Sequence, residues 1–125
     1  MTDYTALAER YLGVWNETNS DRRRALAAEL FTSTCRFTDP LTDVGGPIAI
    51  EAVIGQVQQQ FVGHHLRLAG PVDGHHNQFR FTWELVGDGA SAPAEPVVAG
   101  FDVLVAGPGG KLEQVLGFID RAPAM

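Results

Sequence analysis

PIAIEAVIGQVQQQFVGHHLRLAGPV, residues 47–72, holds two periods in one stretch. Up to Phe61 the apolar residues Ile50, Val53, Ile54, Val57 and Phe61 recur at helical spacing, one face of an amphipathic helix. Pro47 suits the first turn of that helix, and Gly63 suits the position just past its end. From Leu66 the period is two: Leu66, Leu68, Gly70 and Val72 alternate with Arg67, Ala69 and Pro71. A chain that changes period once, near its middle, puts helices first and strands last.

Both directions outward from this stretch agree. Upstream, Tyr4, Leu7, Ala8, Tyr11, Leu12 and Trp15 mark one face of a helix over 3–18. Thr2 or Asp3 can cap its start. A second helix over about 21–31, with Ser20 as its cap, places Leu26, Leu30 and Phe31 on one side. A short strand is expected at 35–38, stopped by Asp39-Pro40, since a residue before proline is held extended. Downstream, Phe79, Phe81, Trp83 and Leu85 alternate with Arg80, Thr82 and Glu84, and 66–72 with 78–86 reads as a hairpin turning at His75-His76. A small-residue loop at 87–96, a strand over 97–106, a Gly-Pro-Gly-Gly turn and a strand over 112–120 follow, with a loose tail at 121–125. Helices followed by antiparallel hairpins read as α+β, in one domain over 1–125 with no internal repeat. Three amphipathic helices inside a strongly curved, mostly antiparallel sheet make a cone whose open end is expected to be a hydrophobic pocket.

Composition narrows the function classes. The net charge of −6 argues against a nucleic-acid partner, which calls for clustered Lys and Arg. The one basic run, Arg22-Arg23-Arg24, reads as a solvated helix face. The single cysteine, Cys35, reads as a buried thiol and fits a reducing, cytoplasmic setting. No run approaches a membrane span, and no stretch resembles a signal peptide. Glycine-rich nucleotide motifs and the nucleophile-elbow motif are absent. The pairs His64-His65 and His75-His76 fall at opposite ends of the expected hairpin, roughly 25 Å apart at ~3.3 Å per residue, which rules out a single four-His metal site.

Three residues stand out. Asp102 lies in Val-Val-Ala-Gly-Phe-Asp-Val-Leu-Val, where a carboxylate is costly unless paired, hydrogen-bonded or protonated. It is either a water-facing Asp at a sheet edge or bulge, or a pocket carboxyl with a raised pKa. Asp39, in "CRFTDPLTDVGG" at 35–46, is either a turn former or a carboxylate at a pocket mouth. Tyr11, on the apolar stripe of the first helix, is either a core tyrosine or a hydroxyl facing the pocket.

Together with "RYLGVWN", "FTDPL", "LAGPVDGHHNQFRF" and "FDVLVAGPGGKLEQV", these residues resemble the nuclear transport factor 2-like (NTF2-like) superfamily, the cone fold shared with SnoaL-like polyketide cyclases. Within it the pattern is closest to bacterial ketosteroid isomerase, over about residues 5–120. The resemblance implies that Asp39 is a general base and that Tyr11 and Asp102 donate to the oxyanion of a small apolar ketone, steroid- or polyketide-like. It implies no cofactor and no metal, and a homodimer paired through the sheet. Trp15, Val57, Phe61, Trp83 and Phe118 are the expected pocket lining. The positions of two supporting isomerase tyrosines carry Phe31 and Ile54 here, and a pocket aromatic on the last strand is replaced by Ile119. These replacements motivate the alternative, a non-catalytic small-molecule-binding or dimerisation module on the same fold. An epoxide hydrolase-like reaction is disfavoured, because no Asp-Arg-Asp arrangement stands at matching positions.

Overall fold

The computed structural model describes residues 2–89 and 94–123. Helices α1 (Tyr4–Asn16) and α2 (Ser20–Leu30) lead into strands β1 (Phe31–Asp39) and β2 (Thr42–Gly45). Helix α3 (Pro47–Gln60) follows, then β3 (His64–Leu68), β4 (Asp73–His75), β5 (Gln78–Gly87), β6 (Val98–Ala106) and β7 (Leu112–Arg121). One sheet runs in the order β2-β1-β7-β6-β5-β3, with β4 also paired to β5. All pairings are antiparallel except β1 with β7. This is the α+β architecture read from the change of period, a curved mixed sheet around three helices.

Each helix starts where local chemistry provides an acceptor or a fixed φ. Asp3 accepts from the Ala6 amide at 3.0 Å and caps α1. Asn19, not Ser20, caps α2, accepting from the Arg22 amide at 2.9 Å. Gly46, at φ 88°, turns the chain into α3 with Pro47 in the first turn. The core forms where the three apolar stripes meet the inner sheet face, at Ala8, Tyr11, Leu12, Leu30, Ile50, Ile54, Phe79, Phe81, Leu104 and Val115.

Several expectations are corrected. β1 begins at Phe31 and is longer than the expected 35–38, because Phe31 pairs with Leu112. The short strand β2 was not expected. The hairpin strand over 66–72 is split into β3 and β4, with the chain leaving the ladder between them. Arg23 is not solvated: it is 7% exposed and binds Glu51 at 2.7 Å. Its guanidinium also donates to the Glu17 carbonyl and to Gln58, and Gln58 donates to the carbonyls of Trp15 and Glu17. The end of α1 is thereby tied to α2 and α3. Arg121 belongs to β7 rather than to the tail. Part of the expected 87–96 loop and the end of the tail lie outside the described residues. Among the described residues no helix is long and apolar enough to cross a membrane.

Candidate active site

The inner face of the sheet is set by strand parity. Along β6, Val98, Gly100, Asp102 and Leu104 face the core. Along β5 the inward set is Phe79, Phe81, Trp83 and Leu85, and Phe81 stands opposite Asp102. Asp102 is therefore an inward carboxyl, 6% exposed, and the water-facing alternative is excluded.

Two glycines make room for it. Gly100 pairs with Trp83, and a side chain there would collide with the Trp83 ring and with the Phe118 carbonyl. Without one, the Trp83 indole lies over β6 and its N–H donates to Asp102 Oδ1 at 3.0 Å. Gly117 pairs with Asp102 from β7. A methyl group on Gly117 would lie 3.0 Å from Asp102 Oδ1 and 3.2 Å from Asp39 Cβ. Both carboxyl residues thus border the same bare stretch of backbone.

Asp39 ends β1 on the side of Cys35 and Phe37, both buried. Its Oδ1 accepts from the Leu41 amide at 2.9 Å, and Asp39 pairs with Thr42. The Pro40-Leu41 loop closes the β1–β2 hairpin on this carboxylate. Asp39 is a turn former, and it also borders the Gly117 backbone that Asp102 borders.

Tyr11 comes from α1 and is 1% exposed. Its ring meets Phe31 edge-on at 6.2 Å and Phe81 at 6.0 Å. Trp15 follows one helical turn later, 6.4 Å from the Tyr11 ring and 6.0 Å from Phe37. The Tyr11 hydroxyl and the Trp15 indole N–H are both buried and have no hydrogen-bond partner of good geometry.

Electrostatics follows from this burial. Desolvation pushes Asp102 up to about 6, while the Trp83 N–H and the Tyr11 hydroxyl pull it down and the Asp39 charge pushes it up. Burial holds the Tyr11 phenol well above its ordinary value, and the Asp102 charge acts in the same direction. Burial also pushes the Cys35 thiol up to about 12, which leaves it an inert core group.

The expected lining divides. Trp15 and Trp83 flank Tyr11 and Asp102. Val57 and Phe61 are half-buried at the far end of α3, and Phe61 packs against His64 at 6.0 Å. Phe118 is on the other face: it stands opposite Phe101, stacks on it at 4.8 Å and 11°, and is 48% exposed. A bulge explains the correction. Ala106 pairs with Leu112 but Val105 with Gln114, so Glu113 is extra and the parity of β7 flips. Val115, Gly117 and Ile119 face inward in consequence. Sequence reading missed Gly100 and Gly117, whose signal was a glycine inside a strand. Two recesses, of about 330 and 540 Å³, lie elsewhere, at the His75–Gln78 turn and at the start of α3.

Among solved structures, the chain is similar to a candidate isomerase of the SnoaL-like family from Agrobacterium tumefaciens, with 36% identity and a TM-score of 0.86 over 97% of this chain and 100% of that one. It shares its fold with a candidate SnoaL-like polyketide cyclase from Jannaschia, at 18% identity and TM-score 0.69, covering 96% and 92% of the two chains. An NTF2-like protein of unknown function from Exiguobacterium has the fold too, at 18% identity and TM-score 0.71, covering 93% and 99%. No family model matches the chain, and no curated protein matches it.

Proposed function

The chain belongs to the SnoaL-like family of the NTF2-like superfamily, and from that premise we propose that it is a cofactor-independent isomerase or cyclase. It takes a proton from the carbon next to the carbonyl of a small apolar ketone, steroid- or polyketide-like, held inside the cone. The observation that carries this reading is the meeting of Asp39 and Asp102 at Gly117, with the Tyr11 hydroxyl buried nearby.

Removing such a proton requires a carboxylate close to the carbon, the role this reading gives to Asp39. Its hydrogen bond from the Leu41 amide leaves the second oxygen free. Charge then builds on the carbonyl oxygen, where fixed donors in an apolar site lower the barrier. Tyr11 keeps its proton across the working pH range, because its pKa is raised. Asp102 donates only while protonated, below about 6. Asp39 returns the proton to a second carbon, so the reaction needs no oxidant or metal.

The direct test is exchange of a ketone's α-protons with deuterated water. Catalysed exchange that Asp39→Asn abolishes supports the reading, and exchange indifferent to Asp39 overturns it. One observation favours a second reading, a non-catalytic ligand-binding or dimerisation module: the Tyr11 hydroxyl is tied into no network of good geometry. That module binds apolar ligands and exchanges none of their protons. In either case a homodimer is proposed, formed through the outer sheet face where Phe101 and Phe118 stack.

A further inference from the structure

We propose that Trp15 is a ligand-contacting donor, its indole N–H taking the oxygen of an apolar carbonyl or phenolic ligand together with the Tyr11 hydroxyl. The inference rests on the reading above that such an oxygen is held at Tyr11.

Trp15 Nε1 and Tyr11 Oη are both buried without a hydrogen-bond partner. Buried donors are rarely left so, because an unmade hydrogen bond forfeits its full desolvation cost. An indole N–H can only donate, so only an acceptor satisfies it. The Asp102 carboxyl already accepts from Trp83. Within the cluster, the Trp15 N–H faces the Tyr11 hydroxyl closely enough to favour its phenolate form. Two unpartnered groups therefore lie close together, and a ligand oxygen accepting from both would satisfy them together.

Trp15 is also held in place, as a preorganised donor must be. Its ring packs on Phe37, and its carbonyl accepts from Gln58 at 2.7 Å. Gln58 is fixed in turn by the buried Arg23. Chemistry adds a reason: Asp102, raised to about 6, loses its donor proton as pH rises through that value, whereas a second donor that does not titrate keeps its own. An indole is such a donor.

The test uses 4-nitrophenol, an apolar ring bearing one acidic oxygen, and the indole N–H signals of ¹⁵N-labelled protein. The chain has two tryptophans, so Trp15→Phe assigns both signals and the remaining Trp83 signal reports that the variant is folded. The expected result is a downfield shift of the Trp15 indole proton on saturation, little movement of Trp83, and about tenfold weaker binding in Trp15→Phe. Tyr11→Phe weakens binding as well. Binding that depends on Tyr11 but leaves the Trp15 signal unmoved and survives Trp15→Phe overturns the donor pair alone. Absence of any Tyr11-dependent binding overturns both the pair and the functional reading. A shifted Trp15 signal with α-proton exchange indifferent to Asp39→Asn keeps the pair and removes the proposed reaction.

Discussion

The indole N–H of Trp83 donates to Oδ1 of Asp102 at 3.0 Å, between neighbouring strands and over the bare backbone of Gly100. This bond and burial oppose each other at one carboxyl. Burial wins, and Asp102 is raised from 3.8 to about 6. Folding therefore favours its protonated form. The stability it contributes is fully present below 3.8 and is lost as pH rises through about 6. Above that, the folded protein carries a buried charge that costs about 3 kcal/mol, an upper figure for a group so enclosed. Asp102→Asn, which still accepts from Trp83, is expected to raise the thermal midpoint near pH 8 and leave it unchanged near pH 4. A midpoint that falls equally at both values sinks this account. Trp83→Phe is expected to move the Asp102 titration above about 6 in an NMR carboxyl experiment.

Asp39 has two roles that one pair of substitutions separates. Asn keeps an acceptor for the Leu41 amide and preserves the hairpin, whereas Ala loses it. Asp39→Ala is expected to cost about 1 kcal/mol in denaturant unfolding and Asp39→Asn close to none. Both are expected to lower α-proton exchange by ~10²–10⁴, the usual contribution of a positioned base. Exchange that follows stability across the two variants makes Asp39 a turn residue only.

The order of elements was legible because the apolar period changes from 3.6 to 2 near Gly63, and that change alone divides helices from sheet. Asp102 was legible because a charge inside an apolar strand has few reasons to be there. Its partner was not, since the bond from Trp83 depends on cross-strand register and on Gly100 allowing the ring to lie over β6. Phe118 shows the limit of parity counting: one bulge residue, Glu113, reverses the side chains that follow it as far as Ile119. Arg23 shows the limit of composition. A three-arginine run looks solvated until α3 brings Glu51 against its middle member.

That buried pair sets a third expectation. Arg23 and Glu51 are both under 10% exposed, and the guanidinium ties three helices together. Removing Glu51 leaves the buried Arg23 guanidinium without a counter-charge, so Glu51→Ala is expected to cost about 3–5 kcal/mol by denaturant unfolding, and Arg23→Ala less, because Arg24 stays 3.6 Å from Glu51. An Arg23→Met, Glu51→Leu double variant is expected to recover most of it. Loss of under 1 kcal/mol in Glu51→Ala shows the pair to be hydrated in solution.

The outer face supplies the last expectation. Phe101 and Phe118 form a stacked apolar pair on a sheet face that also carries Arg80, Thr82 and Glu84, and Phe118 is 48% exposed. An exposed stacked pair continued on the same face by Val103 and Leu116, and bordered by Thr82 from β5, has the build of an interface centre. Sedimentation is expected to give a dimer at micromolar concentration. Phe118→Asp is expected to give a monomer, because it places a charge at the centre of that contact. Asp102 faces the opposite side of the sheet, so α-proton exchange per chain is expected to persist in the monomer. A wild-type chain that sediments only as a monomer removes the dimer. A dimer unaffected by Phe118→Asp moves the interface away from the Phe101–Phe118 stack.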